Sequence, residues 1–317
     1  MESYRFDYSE WVTLNGDRQN IRVRSQNQEN PVILFLHGGP GVCDRHWVLE
    51  YQSALSDSFT LVMWDQRGAG KSFTRASLSR PVRVSDYVDD AEALVRYLCG
   101  KFNREKIILA CHSWGTVIGT RLAARSPALV AAYIGQGQFV NGAENERLSY
   151  QFCLDEATRL NDRKALQKLR PPVEGVYPNQ AAMMAQRDCL TRFGGANHKR
   201  RGGIIQSLLL PLLRTKEYGL RDLPAYARGA AHLSAALWDE VVACRFDQTV
   251  PALAMPVLMT IGRFDYNTPA ELAKKWFDTL DAPRKEWVWF EDSAHSPIHE
   301  EPERWGECVR TFCLSLS

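Results

Sequence analysis

An apolar run that breaks on a serine and resumes as a helix constrains this chain more than any other stretch. Ile107 to Ala110 is a short, β-rich run of the kind that makes a buried strand, and Val117 to Ala124 carries the apolar spacing of a buried helix. Between them lies Cys111-His112-Ser113-Trp114-Gly115. A strand that becomes a helix within so few residues must turn sharply, and in the G-x-S-x-G nucleophile turn that corner leaves the serine hydroxyl exposed. Small residues flank such a corner because side chains two before and two after the serine would collide with neighbouring backbone. Gly115 meets this demand and Cys111 approximates it. A Ser-x-Gly turn also occurs as a purely structural feature, so the rest of the chain must decide its meaning.

The surroundings have an alternating strand and helix rhythm. Trp11–Leu14 and Asn20–Val23 bracket Asn15-Gly16-Asp17, which reads as an opening hairpin. Pro31–Leu36 is continuously apolar, as a strand covered on both faces should be. It ends in His37-Gly38-Gly39-Pro40-Gly41, where glycines free backbone N–H groups to approach a ligand at the strand's carboxyl end. A helix over Trp47–Leu55 and a strand over Thr60–Trp64 follow. That strand runs into Asp65-Gln-Arg-Gly-Ala-Gly-Lys-Ser72, which lacks the glycine spacing and following apolar helix of a phosphate loop. It reads as a structural turn, with Asp65 and Arg67 paired to their surroundings. Helix Val84–Leu98 has Asp86, Asp89, Asp90 and Glu92 toward its N-terminal end, and Leu129–Ile134 is another covered strand. Strands Pro256–Ile261 and Glu286–Phe290 and helices Pro269–Leu280 and Glu303–Leu314 resume the pattern near the end.

Between about Gly137 and Pro251 strand-like runs vanish and helical segments appear, among them Glu144–Asn161, Ala181–Phe193 and Gly203–Leu213. The expected architecture is an α/β fold with a mostly parallel central sheet, helices on both faces and an inserted helical cap. The core would comprise residues 1–137 and 251–317, and the cap residues 138–250. With 317 residues, 45% of them hydrophobic, the chain can bury a large core and still carry an insertion. The basic run His198-Lys199-Arg200-Arg201 reads as a solvated loop tip.

A net charge of +2, with basic residues not gathered in one stripe, gives no sign of a nucleic-acid partner. The first residues lack the basic start and apolar stretch of a signal peptide, and no apolar run is long enough to span a bilayer, which suggests a cytoplasmic protein with no membrane partner. Eight scattered cysteines without a C-x-x-C pair read as free thiols, and no metal site is expected.

A serine hydroxyl needs a base within hydrogen-bond reach and a third group to orient that base. In hydrolases with this kind of turn, an acid and then a histidine follow the serine, on loops after later strands. Asp265 lies just past the strand ending at Ile261, and His295 just past the strand ending at Phe290. Asp292, His299 and His112 are rivals; His112, at a sharp turn, is expected to point away from the hydroxyl. An oxyanion needs preorganised N–H donors, for which the Trp114 amide and that of Gly39 are the candidates.

Taken together, His37-Gly-Gly-Pro-Gly41, Trp64-Asp-Gln-Arg-Gly-Ala-Gly-Lys-Ser72, Ser113-Trp-Gly115, Gly262-Arg-Phe-Asp265 and Ala294-His-Ser-Pro297 with Glu300-Glu-Pro302 resemble the proline iminopeptidase branch of the α/β-hydrolases. The resemblance spans the core on both sides of the insertion. It implies a serine peptidase that removes an N-terminal residue, commonly proline, from short peptides under a helical cap, without metal or organic cofactor. Two departures accompany it. The family usually has Gly-Gly-Ser-Trp-Gly where this chain has Cys111-His112-Ser113-Trp114-Gly115, so the packing behind the serine must differ. The family's cap glutamates, which hold the substrate ammonium, lack their usual sequence context; Glu144 and Glu146 are the nearest acidic candidates, with Gly38 as a further substrate contact. The competing reading of both glutamates is an exposed first helical turn favoured by negative charge. An esterase or amidase acting on small non-peptide substrates, and a ligand-binding protein that kept the frame without turnover, are the alternatives. The oligomeric state is open.

Overall fold

The computed structural model describes residues 4–199, 212, 215–220 and 222–316. The chain opens with an antiparallel hairpin of β1 (Phe6–Leu14) and β2 (Asp17–Ser25). Its turn residues Asn15 and Gly16 both take positive φ, 47° and 83°, as a two-residue Asn-Gly hairpin loop requires. Six more strands follow: β3 (Val32–Leu36), β4 (Thr60–Asp65), β5 (Ile107–His112), β6 (Val130–Gln136), β7 (Val257–Gly262) and β8 (Lys285–Phe290). The sheet order is β1-β2-β4-β3-β5-β6-β7-β8, with β2 antiparallel to β4 and every later pairing parallel.

Helices α1 (Arg45–Tyr51), α2 (Val84–Phe102) and α3 (Trp114–Arg125) connect the early strands. Between β6 and β7 lie α4 (Gly142–Arg159), α5 (Arg163–Lys168), α6 (Gln180–Arg192), α7 (Leu223–Val242) and α8 (Phe246–Thr249). Helices α9 (Ala270–Thr279), α10 (Pro297–Glu300) and α11 (Pro302–Leu314) complete the chain. Most elements lie within a few residues of the spans read from the sequence. The expected helix Gly203–Leu213 falls almost wholly outside the described residues, as do Arg200 and Arg201. Helix α7, not singled out above, buries Tyr226, Leu233, Leu237 and Val241 along one stripe.

Alternate strand residues feed opposite faces of the sheet, which explains the continuous apolar runs. Leu34, Val62, Leu109 and Met259 pack with Leu94 of α2, Val117 of α3 and Trp276 of α9. Their neighbours Ile33, Leu61, Ile108 and Leu258 pack with Val48 of α1 and Trp305, Val309 and Phe312 of α11. Each such side chain, fully buried, contributes about 1.5–3 kcal/mol of transfer free energy. A smaller cluster, Cys153, Ala157, Ala165, Leu169, Cys189 and Leu190, holds α4, α5 and α6 to one another. All eight cysteines are free thiols. Among the described residues, no helix is long and apolar enough to cross a membrane.

The Asp65–Ser72 segment folds around the Asp65 carboxylate. Asp65, fully buried, accepts Arg45 Nε and Tyr218 Oη through Oδ1, each at 2.8 Å, and the Lys71 amide through Oδ2 at 2.8 Å. Arg67 makes two 2.8 Å bonds to the buried Asp90 and reaches Asp17 at 2.7 Å. Removing the cation from a buried pair leaves an uncompensated charge. Arg45→Met is therefore expected to lower unfolding free energy by about 3–5 kcal/mol, read from urea denaturation, while a surface change such as Arg96→Met stays within about 0.5 kcal/mol. An unchanged urea midpoint for Arg45→Met would contradict this account of the buried pair.

Candidate active site

The site lies at the carboxyl end of the parallel strands, where loops from β3, β5, β6, β7 and β8 meet. Ser113 occupies the one-residue corner between β5 and α3 with φ 53° and ψ −118°, a left-handed conformation rare outside glycine. Its amide donates to the Gln136 carbonyl of β6 at 3.0 Å, and its carbonyl accepts from Thr116 N at 2.8 Å and Thr116 Oγ1 at 2.6 Å. Gly115 is required by close approach: a Cβ there would lie 2.0 Å from the Leu36 carbonyl oxygen. The departure at Cys111 is absorbed inside α3, since a Cβ at Gly119 would sit 2.3 Å from the Cys111 sulfur. Cys111 thus fills space that helix α3 leaves open, and burial pushes its thiol well up.

Asp265 and His295 meet on loops following β7 and β8. His295 Nδ1 lies 3.0 Å from Asp265 Oδ2, and both side chains are buried. The carboxylate is fixed by further donors: Asn267 N and Thr268 N to Oδ1, and Thr268 Oγ1 to Oδ2, each at 2.9 Å. Thr268 Oγ1 is also 3.2 Å from His295 Nδ1. Gly137, with φ 54°, follows β6 directly beside the imidazole; a Cβ there would come 2.6 Å from the ring.

A cavity of about 750 Å³ opens over these loops, lined by Ser113, His295, Gly38, Gly39 and His112, with apolar walls from Met183, Leu223 and Ala230. A side recess of about 130 Å³ shares Ser113, Gly39 and Arg187 with it and adds Trp114 and Glu146. The structure thus brings Ser113, Asp265, His295, Gly38, Gly39 and Trp114 to one end of the sheet. Asp292 is exposed, with its amide held by Glu301 at 3.1 Å. His299 stacks on Trp47 at 4.6 Å and contacts Asn197.

Two expectations need correction. His112 does not point away: its ring lines the cavity 4.9 Å from that of His295. Its Nε2 lies 3.1 Å from Ser296 Oγ and its Nδ1 3.5 Å from Asp44, while burial lowers its pKa against the opposing pull of Asp44. Glu144 turns away from the cavity, because Arg147 one turn on engages both its oxygens at the surface and draws its pKa down. In the basic run, the His198 and Lys199 amides bond to Glu300 while Lys199 stays exposed in a loop.

Glu146 sits differently. It is fully buried, and Arg187 Nη2 bonds both of its oxygens at 2.8 Å while Asn145 Nδ2 reaches Oε1 at 3.3 Å. Arg187 is 41 residues further along the chain, so no local sequence signal marks the pair. Thr268 and Glu300 were also missed, although Asp-x-x-Thr is a recognisable side-chain-to-backbone turn. Among the described residues, no group of three or more His, Cys, Asp or Glu side chains is gathered as metal ligands would be.

Comparison with known proteins bears on the family and the fold. The profile of the alpha/beta hydrolase fold family matches residues 31–302. A probable aminopeptidase, YbaC of Bacillus subtilis, is 31% identical over 92% of this chain and 91% of its own length. A proline iminopeptidase of Heyndrickxia coagulans is 24% identical over 96% of this chain and 98% of its own. Among solved structures, the proline iminopeptidase of Mycobacterium smegmatis superposes with a TM-score of 0.66 at 17% identity, covering 98% of each chain. At that identity the superposition speaks for the fold alone, whereas the profile and the sequence relatives reach further: this chain belongs to the α/β-hydrolase family, in its proline iminopeptidase branch.

Proposed function

We propose that the protein is a serine hydrolase of the proline iminopeptidase type, releasing an N-terminal residue, proline or another small apolar residue, from short peptides through an acyl-enzyme. The observation that carries this reading is the 3.0 Å Asp265–His295 contact beside a serine held at a left-handed corner on the same cavity. Ser113 Oγ attacks the carbonyl, and His295 accepts its proton and returns it to the leaving amine. Asp265 holds the Nδ1–H tautomer of the imidazole, and the Gly39 and Trp114 amides stabilise the oxyanion. Water then attacks the acyl-enzyme by the same proton route. Residues 138–250 serve as the helical cap over a core made of 1–137 and 251–317, and Gly38 and the side recess at Glu146 contact the substrate.

On this mechanism, Ser113→Ala should cost about 10⁴-fold or more in kcat and abolish labelling by a fluorophosphonate, and Asp265→Asn should cost about 10⁴-fold through the wrong tautomer. Wild-type turnover in Ser113→Ala would reject the mechanism. Gly137→Ala should displace the imidazole and lower kcat by about 10²-fold while the far-ultraviolet circular dichroism stays native.

A second reading, an esterase or amidase for small non-peptide substrates, is favoured by one observation: Arg187 already engages both oxygens of Glu146. The two readings separate on a free amine. As an aminopeptidase, the enzyme should lose at least about 10-fold in kcat/KM when prolyl or alanyl arylamides are N-acetylated, about the loss of one charge-assisted hydrogen bond. Equal turnover of free and blocked substrates would transfer the assignment to the second reading.

A further inference from the structure

Backbone donors from two distant loops converge on one buried carboxylate. Glu300, 5% exposed at the end of α10, accepts Ala294 N through Oε2 at 2.8 Å. Through Oε1 it accepts His198 N at 2.6 Å and Lys199 N at 3.2 Å. Lys199 Nζ returns to the Glu300 carbonyl at 2.6 Å. Ala294 immediately precedes His295, while His198 and Lys199 belong to the inserted segment that follows α6.

The same segment touches both loops that carry the acid and the imidazole. The Ala196 carbonyl accepts His295 N at 3.3 Å and the Gly195 carbonyl accepts Tyr266 N at 2.9 Å, next to Asp265. The His198 ring lies flat on Phe264, centroids 3.7 Å apart. Ala196 and Asn197 meanwhile form part of the cavity wall.

An ionised carboxylate only accepts, so its two oxygens can serve two loops at once; an amide in its place would turn an N–H₂ toward donors on one side. Burial pushes the Glu300 carboxyl above its usual range, and the converging N–H groups oppose that. Withdrawal of either loop would strip donors from a buried charge, which ties the two loops together.

We propose that Glu300 is a positioning residue for the hydrolysis: its carboxylate fastens the 195–199 segment to the loop bearing His295, so that the base and this wall of the substrate cavity are held as one body. The inference rests on His295 being the base. It predicts that loosening this anchor displaces the His295 imidazole relative to Ser113.

The test compares wild type, Glu300→Gln and Glu300→Ala for hydrolysis of the best arylamide or ester, the rate of fluorophosphonate labelling at Ser113, and thermal unfolding. With rates normalised to the folded fraction, Glu300→Gln should lose about 10–100-fold in kcat, with labelling slowed in parallel because it too needs the base, and KM should rise. Glu300→Ala should lose at least as much. Wild-type kcat, KM and labelling in folded Glu300→Gln would overturn the proposal. So would losses in both variants that unfolding alone accounts for. Failure of the probe to label Ser113 in wild type would instead strike the serine mechanism itself.

Discussion

The corner at Ser113 is the constraint on which the working end of this molecule depends. A non-glycine residue in a sparsely populated backbone region costs about 1–3 kcal/mol and persists only where its neighbours over-determine it. Here β5 is paired on both sides by β3 and β6, and the first turn of α3 is pressed against the end of β3 through Gly115. The Ser113 amide is spent on Gln136 and its carbonyl on Thr116. Strand and helix cannot relax separately, so the corner stays strained and its side chain stays at the cavity.

The inserted helices are tied to this end of the sheet by buried polar contacts as well as by apolar packing. Tyr218 bonds to Asp65, Tyr226 to the Cys43 carbonyl at 2.8 Å, and the 195–199 segment to the loops after β7 and β8. Each contact satisfies a polar group that would otherwise be buried alone, at a cost of about 1–3 kcal/mol. The small core within α4, α5 and α6 gives these helices an interior of their own. The cavity is therefore walled by the loops at the sheet's end and by α6 and α7, with hydrogen bonds joining them at the rim.

Charge within the site is arranged sparingly. The cavity walls are mainly apolar, and the ion pair of Glu146 and Arg187 closes the side recess next to Ser113. A buried carboxylate with its cation already in place differs electrostatically from one that waits for a substrate cation, because an incoming ammonium must compete with a bidentate partner.

Much of the frame was legible because burial on both faces leaves a continuous apolar signature and the strand ends carry glycine, proline or polar residues. Ser113, Asp265 and His295 could be named as candidates for the same reason: each follows directly on such a run. The orientation of His112 and the donors that His198 and Lys199 bring to Glu300 could not, since each depends on a partner far along the chain. The sequence by itself determined the alternating core, the interruption between β6 and β7 and the residues at the strand ends, because periodicity and turn chemistry are local. Only the tertiary structure decided which charges meet, Glu146 with Arg187 and Glu300 with the amides of two loops, because pairing energies depend on distance and burial that no stretch of sequence contains.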